Sequence, residues 1–91
     1  MALFSARKIG LGLAATGIAH FVAPDAFVGI TKSAFPNDTE EWVKRNGATE
    51  TALGVAILLP KTRKLGVLGL LGYVGWLGFN AQNVSKAGNL A

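Results

Sequence analysis

The sequence predicts an all-α fold, a polytopic membrane helix bundle with three transmembrane helices and a short interfacial helix between the first and second. Residues 65–79 carry no charge, and they have a glycine at every third position. Of the 91 residues, 51% are hydrophobic and only 15% are charged. Residues 65–79 lack the period-two alternation of a strand. Five interior glycines would destabilise a helix in water by roughly 5 kcal/mol relative to alanine, whereas glycine is common in membrane-spanning helices.

Composition indicates one membrane-embedded domain over residues 1–91 and excludes several kinds of site. The sequence has no cysteine, so disulfides, thiolate metal sites and cysteine nucleophiles are excluded within this chain. The net charge is +4, but the nine lysines and arginines stand in short groups beside apolar runs. This placement favours contact with membrane lipids over binding of nucleic acid.

The first spanning helix is predicted over residues 2–22. Its apolar run is short for a hydrocarbon core of about 30 Å, so residues 2–4 are expected to extend it, with Arg7 and Lys8 reaching outward. A charged start before an apolar run is also typical of a signal peptide. Pro24 stands where cleavage after Ala23 would have to occur, which favours an uncleaved helix.

An outer loop is predicted over residues 23–38. Pro24 ends the first helix because it biases the preceding residue away from helical angles. Residues 24–30 form the predicted interfacial helix, with Phe27, Val28 and Ile30 lying along the membrane surface.

The second spanning helix is predicted over residues 39–59. Asn37 or Asp38 is the expected N-cap, with Glu40 or Glu41 completing a capping box. Trp42 is an expected interfacial anchor, and Pro60 ends the helix.

The third spanning helix is predicted over residues 62–84, and residues 85–91 are expected to be a frayed polar tail. The short link at Pro60 predicts an antiparallel hairpin with the second helix. Successive glycines in the third helix are rotated by about 300°, so they trace a shallow groove around it. Packing of another helix is the expected use of this groove, and a lipid or quinone tail is the alternative. The groove comprises Gly66, Gly69, Gly72, Gly75 and Gly78.

Membrane topology is predicted from the basic residues near the helix ends. With three spans, Arg7, Lys8 and the basic cluster at residues 61–64 share one side. The positive-inside rule then places the N-terminus in the cytoplasm of a bacterial plasma membrane, with residues 24–41 outside.

His20, Glu50 and Asn80 form a candidate polar cluster at the outer ends of the three helices. An ionisable group such as Glu50 inside a spanning segment is a functional candidate. Pairing of Glu50 with Lys44 or Arg45 is the structural alternative, and a hydrogen bond to a backbone carbonyl is the alternative for His20. One histidine cannot supply a three-ligand zinc site or two haem ligands. No catalytic residue, metal or cofactor is assigned to this chain, apart from a possible quinone or lipid contact.

Three segments resemble the DoxX-like family of small bacterial membrane proteins: Gly17-Ile-Ala-His-Phe-Val-Ala-Pro-Asp, then Gly47-Ala-Thr-Glu with Leu59-Pro-Lys-Thr-Arg, then Asn80. The resemblance covers about residues 14–84. The residues on its marked positions are His20, Pro24, Asp25, Glu50, Gly54, Pro60, Thr62, Arg63 and Asn80.

This resemblance implies an all-helical integral membrane protein, usually of four spans, linked in some members to thiosulfate:quinone oxidoreductase or other redox complexes. The sequence ends where the fourth helix is expected. It also has Gly78-Phe-Asn-Ala-Gln where the family tends to have Phe-Pro-Ala-Asn.

The expected function is that of a non-catalytic accessory subunit in a bacterial respiratory or redox complex. Its expected partners are membrane lipids and either other membrane subunits or further copies of itself. Two alternatives stay open: a quinone-interacting subunit of a membrane oxidoreductase, and a homo-oligomeric ion or proton pathway that uses Glu50.

Overall fold

Four helices make up the fold. The computed structural model describes residues 5–90, and within this range it contains α1 (Ala6–Val22), α2 (Asp25–Lys32), α3 (Thr39–Leu58) and α4 (Arg63–Leu90), with no strand. The prediction of an all-α fold is confirmed. Residues 2–4, which were predicted to extend the first helix, lie outside the described residues.

Three predicted boundaries differ from the structure by more than one residue. The first helix was predicted to include residue 5, but α1 begins at Ala6 after the extended N-cap residue Ser5. The short helix within the predicted outer loop continues to Lys32, and α4 continues to Leu90 beyond the predicted end at residue 84. No proline follows residue 84, so nothing in the backbone stops α4 there. The predicted polar tail is therefore helical up to Leu90.

The start of α3 lacks the predicted capping box. Asp38 is the N-cap residue, but its side chain makes no capping hydrogen bond. Its backbone is left-handed, with φ 55° and ψ 39°, whereas a capping side chain reaches the first helical amides from an extended backbone. The start of α3 is stabilised instead by the Thr39 hydroxyl, which donates a hydrogen bond to the Phe35 carbonyl oxygen at 2.7 Å.

Small residues allow α1 and α3 to pack antiparallel at very short range. A Cβ added to Gly10 would lie 2.8 Å from the Gly54 carbonyl oxygen, and one added to Gly54 would lie 2.7 Å from the Gly10 oxygen. The two backbones are thus in direct contact. We call this contact the small-residue seam; its buried members are Gly10, Ala14, Gly17, Gly47 and Gly54.

α3 and α4 form the predicted antiparallel hairpin. Cβ atoms added to Gly66 and Gly69 would lie 2.8 Å from Ile57 and 2.7 Å from Leu53, so these two glycines of the predicted groove pack against α3. Cβ atoms added to Gly72, Gly75 and Gly78 would meet nothing within 4 Å outside the local helix backbone. Only the first part of the groove is therefore filled by another helix.

The end of α3 is capped by Thr62, in the link that follows it, and by Arg63, the first residue of α4. The Thr62 hydroxyl donates to the Ala56 carbonyl at 2.8 Å. Arg63 donates to the Ile57 carbonyl at 2.9 Å and to the Leu58 carbonyl at 3.2 Å. The last carbonyls of a helix have no partner within it, so these bonds account for the Thr-Arg pair after Pro60.

We expect Thr62→Ala to lower the free energy of unfolding by about 1 kcal/mol, because it removes the hydrogen bond to Ala56. Thr62→Ser keeps the hydroxyl and is expected to retain most of the stability. Thr49→Ala is the matched control, since the exposed Thr49 hydroxyl bonds only to the Arg45 carbonyl of its own helix. Chemical unfolding of the three variants measures the difference, and equal losses for Thr62→Ala and Thr49→Ala would contradict the capping role.

An aromatic cluster holds α4 against the segment that precedes α3. The ring centroid of Phe35 lies 4.2 Å from that of Trp42 and 5.3 Å from that of Trp76. The two tryptophan centroids are 5.7 Å apart. Trp42, predicted as an interfacial anchor, thus stacks on Phe35 and also lies near Trp76.

Much of the apolar surface lies outside the core. Among residues 5–87, the fully buried large side chains are Val43 and Ile57, and fifteen large hydrophobic residues are exposed by 41% to 79%. Among the described helices, none is by itself both long and apolar enough to cross a membrane; α1 and α2, bent by 105° relative to each other, meet that criterion only as a pair.

Candidate functional site

All four helices contribute to a cleft of about 520 Å³. Its walls are mostly apolar, and polar side chains from all four helices line it, including His20, Thr31, Asn46, Glu50 and Tyr73. We call this space the cleft.

His20 enters the cleft from the last turn of α1 and is almost fully buried, with 4% of its surface exposed. Its Nδ1 lies 2.8 Å from the Thr16 carbonyl oxygen. Because a carbonyl can only accept a hydrogen bond, Nδ1 carries a proton and donates it. The ring also stacks on Phe27 of α2, with centroids 3.8 Å apart and planes inclined by 19°. These contacts fix the ring so that Nε2 faces α3.

Glu50 of α3 receives two neighbours on the same carboxylate oxygen. Its Oε2 accepts a hydrogen bond from the Tyr73 hydroxyl at 3.1 Å and lies 3.6 Å from His20 Nε2. The proposed alternative partner Arg45 pairs instead with Glu41, at 3.4 Å on the exposed side of α3. Glu50 therefore links α1 to α4 through α3.

The His20–Glu50 contact is longer than a direct hydrogen bond, with Nε2 and Oε2 3.6 Å apart. With Nδ1 protonated, a neutral imidazole would present a lone pair at Nε2 toward the lone pairs of the Glu50 carboxylate. A proton on Nε2 or on the carboxyl group removes this repulsion. With a proton on Nε2, His20 is an ion-pair partner of Glu50, whose Oε2 also accepts the hydrogen bond from Tyr73.

The structure brings two of the three predicted cluster residues together. Asn80 lies apart from His20 and Glu50: its amide donates to the Trp76 carbonyl of its own helix at 2.8 Å. It is also not among the described residues that line the cleft.

Tyr73, Asn46 and Thr31 are among the polar cleft residues that sequence reasoning missed. Residues equally distant from the link of an antiparallel hairpin face each other, and Glu50 and Tyr73 lie at similar distances from Pro60. The hairpin register is thus the signal for Tyr73. Asn46 precedes Glu50 by one helical turn, which places the two on one face of α3.

Among residues 5–90, no group of three or more histidine, aspartate or glutamate side chains is arranged to hold a metal ion. The site places an imidazole and a phenol within 3.6 Å of one carboxylate oxygen of Glu50. Such a set can hold a proton and can bind the polar end of a ligand.

The family model "Domain of unknown function (DUF8561)" matches residues 9–90. The chain belongs to this family. The DUF8561 match includes every residue that lines the cleft. No curated protein and no solved structure matches the chain.

Proposed function

We propose that this DUF8561 protein is a small, multi-pass protein of a bacterial plasma membrane that acts as a non-catalytic accessory subunit of a respiratory or redox complex. The observation that carries the membrane part is the exposed apolar surface of α1, α3 and α4. The resemblance to the DoxX-like family supports the redox part.

The outer side of α4 shows the apolar surface most clearly. Leu65 is 72% exposed, Leu68 and Leu71 are each 65% exposed, and Phe79 is 62% exposed. These residues lie away from α3, which α4 meets through Gly66, Gly69 and Tyr73. Monomeric soluble proteins rarely leave large contiguous apolar patches in water. Lipid or another apolar helix is the environment that suits this surface.

The uncharged segment of α4, residues 65–79, fits a membrane in which both ends of the segment lie at the level of the lipid headgroups. The uncharged residues 65–79 extend about 22 Å along a helix, which is shorter than a hydrocarbon core of about 30 Å. Lys64 precedes the segment and Asn80 follows it. A short segment is accommodated by local thinning of the bilayer and by flanking side chains that reach the interface.

We expect the full-length chain to stay with the membrane pellet in high salt and alkaline carbonate, and to enter solution only with detergent. In mild detergent it should co-purify with other membrane subunits or with further copies of itself. A variant with Leu65→Asn, Leu68→Asn and Leu71→Asn should release more readily, because it makes the lipid-facing side of α4 polar. A folded, monodisperse monomer in detergent-free buffer would overturn the proposal.

A further inference from the structure

Two buried polar side chains of the cleft have no hydrogen-bonding partner among the described residues. Asn46 and Thr31 are each only 6% exposed, and both line the cleft. Their side chains form no hydrogen bond with residues 5–87. Among these residues, every side-chain nitrogen or oxygen that solvent cannot reach has a hydrogen-bond partner, so the polar atoms of Asn46 and Thr31 are accessible from the cleft and can bond to a molecule that enters it.

Asn46 and Glu50 define the chemistry of the polar end of that ligand. They are four residues apart on α3, so their Cβ atoms lie about 5–6 Å from each other. Oε2 of Glu50 is used by His20 and Tyr73, which leaves Oε1 as an acceptor. The Asn46 amide offers donors. A single hydroxyl group placed between them can donate to Glu50 and accept from Asn46.

Other polar groups fit this position less well. A ketone or ether cannot donate, and an anion would be repelled by Glu50. A cation would compete with the existing contact between Glu50 and His20. A hydroxyl group donates and accepts through a single oxygen, so it leaves all these partners satisfied.

The remaining walls of the cleft determine the apolar part. Phe27, Ile30, Val74 and Leu77 line it, and the stacked rings of Phe27 and His20 give one flat side. A volume of about 520 Å³ lies within the range of about 300–1,000 Å³ that is usual for small-molecule sites.

We propose that the cleft binds an uncharged ring compound with a hydroxyl group, the hydroxyl lying between Asn46 and Glu50 and the ring against Phe27. This ligand site goes beyond the proposed function, since it depends on the cleft and not on the outer face of α4.

The test uses α-naphthol and its methyl ether as probes, with the purified full-length chain in the medium that keeps it monodisperse. Both probes have the same ring system, but only α-naphthol can donate a hydrogen bond. We expect α-naphthol to bind about tenfold more tightly, the effect of one hydrogen bond to a charged group, and to shift the side-chain amide NMR signals of Asn46.

Asn46→Leu keeps the approximate size of the side chain and removes its amide, and it is expected to weaken α-naphthol binding by about tenfold. Asn80→Leu is the matched control, because the same change is made outside the cleft, and binding should be unchanged. The proposal would be overturned if α-naphthol does not bind, if both probes bind with equal affinity, or if Asn46→Leu leaves α-naphthol binding unchanged. If Asn46→Leu does not fold, the proposal is tested by whether the unaltered chain binds α-naphthol more tightly than its methyl ether.

Discussion

Gly17→Ala is expected to destabilise the fold by about 2–3 kcal/mol, because it inserts a methyl group into the small-residue seam. A Cβ at Gly17 would overlap the backbone nitrogen of Thr51 and would lie 2.7 Å from the Gly47 carbonyl oxygen. Both atoms belong to the backbone of α3, so no side-chain rotation relieves the contact. The helices must separate, and the packing of His20 against Gly47 is lost with them.

Gly12→Ala is the control for this prediction. Gly12 is in the same helix, but a Cβ there would meet nothing within 4 Å outside the local helix backbone. Alanine favours a helix over glycine by up to about 1 kcal/mol, so Gly12→Ala should leave stability unchanged or raise it. Equilibrium unfolding followed by far-ultraviolet circular dichroism compares the two variants. If both substitutions have the same effect, the seam does not hold α1 to α3.

The order of the helices could be predicted from the sequence, but the main helix contact could not be assigned from glycine content alone. The evenly spaced glycines of α4 led to the prediction of a packing groove, but three of them do not contact another helix. Steps of three residues move around a helix, whereas Gly10, Ala14 and Gly17 are separated by four and three residues and stay on one face. That spacing, repeated by Gly47 and Gly54 seven residues apart, is the signal for close packing.

The residues of the candidate site could also be predicted only in part from the sequence. His20 and Glu50 could be placed at the same end of antiparallel helices, and the structure has their side chains 3.6 Å apart. Asn80 lies seven residues after Tyr73, which is about 10 Å farther along α4. Tyr73, and not Asn80, is therefore level with Glu50. Whether a side chain of α4 can contact Glu50 depends on its position along the helix axis. Predicting that contact therefore requires the register of the hairpin, and not only the end of the bundle at which the residue lies.

Glu50→Leu is expected to lower the free energy of unfolding by about 3 kcal/mol. The change removes the acceptor for the Tyr73 hydroxyl and the charge partner of His20, whose side chain is 5% exposed. Leaving a buried donor without its partner costs about 1–3 kcal/mol for each group, and loss of one member of a buried pair is more costly than loss of a surface pair. Chemical unfolding of the purified chain measures the change.

Glu41→Leu provides the matched control, because Glu41 is a second carboxylate of α3 that pairs with Arg45 at the surface, where both side chains are more than half exposed. Its loss should change stability by less than about 1 kcal/mol. Glu50→Gln keeps an acceptor for Tyr73 and gains an amide donor for Nε2 of a neutral His20, so it should recover most of the stability lost in Glu50→Leu. His20 should keep its proton on Nδ1 in Glu50→Gln, which NMR of the imidazole nitrogens can detect. Equal effects of Glu50→Leu and Glu41→Leu would mean that the His20, Glu50 and Tyr73 contacts do not stabilise the bundle.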